Sequence, residues 1–76
     1  MNDFIKEMHE ESIKDELEYI RFIGEENKVL QRIRESHQGE WQIVELCREI
    51  MFDNAKEVNS ILGEIENDRS KIKELG

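Results

Sequence analysis

The segment Ser36-His37-Gln38-Gly39 decides the fold, because it is the strongest interruption in an otherwise helix-forming sequence. Glycine just after a helix end is the favoured residue for a left-handed cap, and Gly39 is expected to supply one. Glu40 then falls in the first turn of the following segment, where a carboxylate meets the positive end of a helix. The pattern therefore predicts a tight turn between two helices.

Both flanks of this turn, which spans 37–39, have a helix-forming composition. Proline is absent, and 39% of the residues are Asp, Glu, Lys or Arg; Glu, Lys and Arg are good helix formers. We predict a single all-α domain, 1–76, with helix 1 over about residues 3–36 and helix 2 over about 40–74. Two helices joined by a short turn must pack antiparallel, which predicts a long helical hairpin.

Gly24 is the weak point of the first helix. A glycine inside a helix costs about 1 kcal/mol relative to alanine, and a break here would divide the chain into three helices. Helical spacing of apolar residues nevertheless continues across it, from Ile20 and Ile23 to Leu30 and Ile33. We favour a continuous or kinked helix, with a three-helix bundle broken at Gly24 as the alternative.

Apolar residues three or four positions apart predict the face on which each helix packs. Further apolar residues widen these rows beyond what two helices can cover by packing on each other. Apolar surface left exposed to water is unfavourable in free energy. We therefore expect a homodimer in which two hairpins form a four-helix bundle. The predicted row of helix 2 is Val44, Cys47, Met51, Ala55, Val58, Leu62, Ile65, Arg69 and Ile72. The residues assigned to the core or dimer seam are Leu17, Ile20, Ile23, Met51, Val58, Leu62 and Ile65.

Aromatic residues are assigned to the core or dimer seam in preference to exposed binding anchors. Trp41 is expected to pack on Ile33 or Leu30 across the turn. A separate apolar group lies near the far end of the hairpin and is our candidate for an apolar docking patch if it stays uncovered. The aromatic set is Tyr19, Phe22, Trp41 and Phe52, and the docking candidates are Phe4, Ile5 and Met8.

Cys47 is the single cysteine, so it cannot form an intrachain disulfide. Its apolar neighbours favour a core position over an intermolecular disulfide or a reactive thiol. A lone buried thiol suits a reducing compartment, and the sequence has neither a basic leader followed by an apolar stretch nor a run of about 18 apolar residues. We expect a cytoplasmic protein that does not enter a membrane.

Residues for catalysis or metal binding do not form a recognisable pattern. The Glu-x-x-His motif of di-iron bundles fails because Lys6 precedes His9 and Arg34 precedes His37 at the required spacing. Ile13 replaces the second histidine of a His-Glu-x-x-His zinc motif. No nucleophile, base and orienting group are spaced to share one pocket. We expect no enzyme activity, no catalytic or metal site, no cofactor and no small-molecule substrate.

Two rows of carboxylates at helical spacing, here called the acidic ridges, are prominent in the charge pattern. Like charges four residues apart destabilise a helix by a few tenths of a kcal/mol per pair, so the rows have a cost. They serve either to keep the protein soluble or to dock on a basic partner, including as a nucleic-acid mimic. Ridge 1 is Glu7, Glu11, Asp15 and Glu18, and ridge 2 is Glu45, Glu49, Asp53 and Glu57.

The hairpin tip is basic, in contrast to the rest of the first helix. Residues 1–26 hold nine acids and three bases, whereas 27–39 hold three bases and one acid. The tip could contact RNA or phosphate, or its cations could complement the negative helix end. The basic-tip residues are Lys28, Arg32, Arg34 and His37.

The net charge of −8 disfavours nucleic acid and anionic membranes as partners, because both repel it. We predict a non-enzymatic regulator or inhibitor that docks its acidic helical faces on a larger, partly basic protein. One alternative is an RNA- or nucleic-acid-binding hairpin dimer that uses the basic tip. A second alternative is a purely structural oligomerisation module.

Overall fold

The fold is a helical hairpin built from two helices of equal length. The computed structural model describes residues 2–76, with side chains from residue 3 onward; in that range it contains α1 (Asn2–Ser36), α2 (Trp41–Leu75) and no strand. The helices pack against each other, and their Cα atoms span 58 × 15 × 11 Å. The predicted all-α hairpin is confirmed, and each helix boundary lies within one residue of the prediction.

Helix α1 continues through Gly24 without a break. A β-carbon added at this position would meet nothing within 4 Å, and the φ angle of Gly24 is not positive. The glycine is therefore an ordinary helical residue on an open surface. The alternative of three helices broken at Gly24 is wrong, because the apolar spacing on both sides of it keeps one helical phase.

The turn closes by backbone hydrogen bonds and not by a left-handed glycine. The His37 amide donates to the Ile33 carbonyl at 3.0 Å, and the Glu40 amide donates to the His37 carbonyl at 2.9 Å. No glycine of the described residues has a positive φ. The prediction that Gly39 forms a left-handed cap is wrong, because the second of these bonds reverses the chain with ordinary backbone angles.

Glu40 is the N-cap residue of α2 rather than part of its first turn. Its carbonyl oxygen accepts the amides of Ile43 and Val44 at 3.0 and 3.1 Å. Its side chain does not cap the helix; a carboxylate oxygen lies 3.2 Å from the His37 ring Nδ1. The carboxylate therefore contacts His37 of the turn and does not cap the start of α2.

The contact between α1 and α2, here called the inner seam, follows a regular coiled-coil spacing. Its residues are buried or half-buried and recur at alternating steps of three and four. Ile23, Ile61 and Ile65 form the buried apolar cluster at its centre. In α1 and the first residue of the turn, the inner seam is His9, Ile13, Glu16, Ile20, Ile23, Asn27, Leu30, Arg34 and His37. In α2 it is Val44, Cys47, Met51, Asn54, Val58, Ile61, Ile65, Asp68, Ile72 and Leu75.

The inner seam of α2 differs from the predicted row at three positions. Asn54 and Ile61 occupy the places assigned to Ala55 and Leu62, and Asp68 that assigned to Arg69. Asn54 and Asp68 occupy inner-seam positions because each finds a partner on α1.

Cys47 is a buried free thiol on the inner seam. This confirms the core position predicted for it. Of the described side chains, only three other apolar ones are equally buried, namely Ile23, Ile61 and Ile65. The core of the hairpin is thus one thin layer, and most apolar residues lie outside it.

Candidate interaction surfaces

A second row of apolar residues, here called the outer stripe, runs along α1 beside the inner seam. Nine of its ten members precede an inner-seam residue by one position, which places them about 100° further around the helix. The tenth, Ile5, continues the same spacing toward the start of α1. Its six large apolar side chains are all exposed. The ten positions are Ile5, Met8, Ser12, Asp15, Tyr19, Phe22, Glu26, Val29, Ile33 and Ser36.

Helix α2 extends the outer stripe near the turn. Ile43, Leu46 and Ile50 also precede inner-seam residues by one position; Leu46 is exposed and the other two are half-buried. The Tyr19 hydroxyl donates to the Glu57 carboxylate at 2.8 Å, which shows that these flanks of α1 and α2 lie on the same side of the hairpin. The apolar surface is therefore widest at the turn.

Tyr19 and Phe22 form a stacked aromatic pair at the middle of the outer stripe. Their ring centroids are 6.4 Å apart with an interplanar angle of 22°. The hydrogen bond from the Tyr19 hydroxyl to Glu57 and the negative charge of that carboxylate raise the pKa of Tyr19, with smaller effects of burial and Glu26. The phenol therefore stays a neutral hydrogen-bond donor at neutral pH.

The docking candidates Phe4, Ile5 and Met8 are exposed at the open end of the hairpin. Phe4 and Met8 line a shallow groove together with Glu7 and Glu11 of ridge 1. The structure thus places an apolar patch and the first acidic ridge next to each other.

The opposite side of the hairpin carries smaller apolar groups. Leu17 and Leu62 are exposed there and line a groove with Ile65. Phe52 is 62% exposed, and the Lys56 ammonium lies 4.7 Å from its ring centroid. This side is more dispersed than the outer stripe.

Trp41 is 72% exposed at the start of α2. The prediction that it packs on Ile33 or Leu30 across the turn is wrong. Val44 is the first inner-seam residue of α2. Trp41 lies three positions before it, beyond the end of the contact between α1 and α2, so its indole stays uncovered.

The acidic ridges lie on the outside of both helices, and all eight of their carboxylate residues are exposed. Among the side chains of 3–76, the ion pairs use Glu25, Glu40, Asp68 and Glu74 and none of the ridge residues. Glu57 accepts a hydrogen bond, but from the neutral hydroxyl of Tyr19. The ridge charges are therefore not neutralised by close cations within the described chain.

The basic tip is partly neutralised by its own neighbours. The Lys28 ammonium lies 3.3 Å from Glu25, and the His37 ring lies 3.2 Å from Glu40. Arg34 is half-buried on the inner seam, and Arg32 is exposed. Nucleic-acid binding at this tip stays a prediction, and the local pairing weakens the positive field it would need.

A polar layer crosses the inner seam near its middle. The Asn54 amide donates to Asn27 at 2.9 Å and to Glu26 at 3.2 Å. This layer was not predicted, although asparagine at a core heptad position is a known signal of register selection.

A second polar cluster joins the open ends of the helices. The His9 ring Nδ1 lies 2.8 Å from the Asp68 carboxylate, and Ser12 donates to Glu16 at 2.9 Å. The bond to His9 lowers the pKa of Asp68 against an opposing effect of burial, with further lowering by Ser12 and Glu16. The pairing of His9 with Asp68 was not predicted, because His9 was considered only as a metal ligand.

No group of three or more metal-ligating side chains lies together in the described part of the chain. None of its helices has both the length and the apolar character required to span a bilayer. Comparison with protein-family models, curated proteins and solved structures finds no match. The features that bear on function are therefore the exposed surfaces of the hairpin.

Proposed function

We propose that this chain is a non-enzymatic protein-binding regulator that docks its acidic ridges on a larger, partly basic protein. The observation that carries the proposal is the exposure of all eight ridge residues, none of which belongs to an ion pair of the described side chains. Unpaired carboxylates in rows attract a positive surface over a long range and accelerate encounter with it.

The rigidity of the helices supports the same proposal. Each ridge lies within one uninterrupted helix of 35 residues, so the β-carbons of neighbouring ridge residues hold fixed positions about 5–6 Å apart. A partner with matching cations would meet a preorganised row and lose little conformational freedom in the helix.

Regularly spaced negative charges along a rod resemble a nucleic-acid backbone in outline. A basic groove that accommodates such a backbone would accept the ridges, and occupation of that groove would inhibit the partner. Nucleic-acid mimicry is therefore the form of regulation that we favour, and any basic groove of suitable length would serve it.

The test compares two triple charge reversals after a partner has been captured from a host lysate and purified. Glu45→Lys, Glu49→Lys and Asp53→Lys together remove most of ridge 2. The matched control reverses Glu64, Glu66 and Glu74 to lysine, which changes the net charge equally but leaves both ridges intact. Binding is measured by calorimetry at several salt concentrations.

We expect the ridge variant to bind at least tenfold more weakly and to lose salt dependence, with the control close to the unmodified chain. Equal weakening in both variants would mean that only net charge matters, and unchanged affinity in the ridge variant would remove the ridges from the interface. Circular dichroism confirms that all three proteins stay helical.

A further inference from the structure

We infer that the outer stripe is covered by a second copy of this chain, packed antiparallel about a two-fold axis near Tyr19 and Phe22. The resulting assembly is a four-helix bundle in which α1 contacts α1 of the second copy. This inference does not rest on the proposed function, because it is argued from the apolar residues. Of the ridge residues, Asp15 belongs to the outer stripe and Glu57 contacts Tyr19 beside it.

The accessible surface of the hairpin is too large for a compact chain of its mass. It measures 6143 Å², whereas a folded monomer of this size exposes about 4,900 Å². The Cα radius of gyration is 17.3 Å, against about 11.4 Å for a compact domain of the same length. The hairpin therefore exposes as much surface as would be expected for one part of a larger compact assembly.

A second copy accounts for this excess in amount. A compact globule of twice the mass exposes about 8,100 Å², so two hairpins would have to bury about 4,200 Å² in total to reach it. Interfaces of obligate homodimers bury about 2,000–5,000 Å². The area that two hairpins would have to bury therefore lies within the range found for stable homodimers.

The order of residues along the outer stripe is self-complementary. The apolar pairs Ile5 with Met8 and Val29 with Ile33 lie at nearly equal distances, roughly 18 Å along the helix axis, on either side of Tyr19. A two-fold axis at Tyr19 places each of these pairs against the other pair of the second copy. Such a patch, matched to itself after rotation, is what an isologous interface requires.

The shape of the apolar surface fits the same arrangement. The surface is widest near the turn, where Ile43, Leu46 and Ile50 of α2 extend the outer stripe. In the antiparallel dimer this wide end receives the N-terminal end of the second copy, where Phe4 adds to the stripe. The contact between the turn end of one copy and the N-terminal end of the other occurs twice in the dimer, so both exposed ends of the apolar surface are covered.

Charge favours the antiparallel orientation over a parallel one. Residues 1–19 carry seven acids and two bases and 59–76 carry four and three, so the open half of the hairpin is strongly acidic. Residues 20–58, the half at the turn, carry eight acids and six bases. A parallel dimer would place the two acidic halves together, whereas the antiparallel dimer places each beside a nearly neutral half.

The first arm of the test measures mass by size-exclusion chromatography with light scattering. The unmodified chain is expected at twice its 9.1 kDa mass. Phe22→Glu with Val29→Glu should lower the mass to that of one copy, while Trp41→Glu with Phe52→Glu, a matched pair on exposed residues outside the stripe, should leave the dimer intact. A single-copy mass for the unmodified chain, or equal effects of both pairs, overturns the inference.

The second arm tests orientation and does not depend on variants that disrupt the dimer. Met8→Cys and Val29→Cys chains are mixed in a glutathione redox buffer, with the native Cys47 buried. The antiparallel dimer gives a mixed disulfide between the two variants and no self-linked Met8→Cys. Self-linked Met8→Cys as the main product shows a parallel dimer and contradicts the proposal.

Discussion

Asn54→Ala removes the donor of the polar layer at the middle of the hairpin. Asn54 is only 9% exposed, and its amide donates to Asn27 at 2.9 Å and to Glu26 at 3.2 Å. A hydrogen bond between neutral groups contributes about 1 kcal/mol, and one to a charged group about 1.5–3 kcal/mol. Glu26 is exposed to water, which places its bond at the lower end of that range. We therefore expect Asn54→Ala to lower the free energy of unfolding by about 2–3 kcal/mol.

The paired variant Asn27→Leu with Asn54→Leu separates stability from register. Replacing both partners with apolar groups leaves no buried polar atom unsatisfied, so stability should be kept or increased. The middle of the seam then lacks the polar pair that helps to fix the alignment, because a buried polar residue specifies register at a cost in stability. The His9–Asp68 contact remains at the open end. We expect a more stable hairpin with a less uniquely defined alignment.

Urea unfolding followed by circular dichroism at one fixed protein concentration measures both effects, since stability of a dimer depends on concentration. A double-mutant cycle with Asn27→Ala gives the coupling energy between the two asparagines, expected at about 1 kcal/mol. Amide NMR spectra report whether the leucine pair gives one set of signals or several. Asn54→Ala with an unchanged midpoint, or a leucine pair as unstable as the alanine variant, would refute the reasoning.

Three further predictions concern the open end, the core and the helix interior. Because the pKa of Asp68 is lowered in the fold, its stabilising effect is present above the ordinary carboxyl pKa of about 3.9 and is lost as pH falls through the folded pKa. Asp68→Asn should therefore flatten the acid side of a stability profile measured by urea unfolding, and an unchanged profile would contradict the pairing with His9. Ile65→Ala should cost about 2–4 kcal/mol because Ile65 is buried, against less than about 1 kcal/mol for the exposed Leu62→Ala; thermal melts that rank them in reverse order would disprove the observed seam. Gly24→Ala should stabilise α1 by about 0.5–1 kcal/mol, since its β-carbon meets open space, and a lower melting temperature would show that the glycine is needed.

The hairpin could be predicted from the sequence because its signals are local. A single strong interruption at 36–39 separates two long segments with helical spacing, and Gly24 lacks the accompanying turn residues that a break would need. The helix boundaries followed from the same signals. What local signals did not provide was the turn geometry, since the chain reverses at Gly39 without a positive φ angle.

The inner seam was harder to predict because it buries polar residues. Asn54 and Asp68 lie at inner-seam positions only because Asn27 and His9 are opposite them. Such partners depend on the alignment of two distant segments, which spacing along one helix does not reveal. A strict alternation of three- and four-residue steps from Val44 recovers the row. The predicted row took two four-residue steps in succession, from Cys47 to Met51 to Ala55, and this displaced it by one residue at three positions.

The candidate surfaces could be predicted only in part. The acidic ridges were visible because like charges four residues apart have a cost that solubility or binding must explain. The outer stripe was not separated from the core, since Tyr19 and Phe22 were assigned to the core or dimer seam together, and the structure leaves both outside the inner seam. Which apolar residues stay outside depends on the phase of the inner seam, which only the fold defines.

Hydroxyl-radical footprinting of the unmodified chain tests the covered outer stripe most directly. Phe22 and Phe52 are nearly equally exposed in one hairpin, at 63% and 62%, so they form an internal matched pair. If a second copy covers the stripe, Phe22 is oxidised several-fold more slowly than Phe52 at high protein concentration, and the difference disappears on dilution. Equal oxidation of Phe22 and Phe52 at every concentration would show that the stripe is open to water and would contradict the dimer.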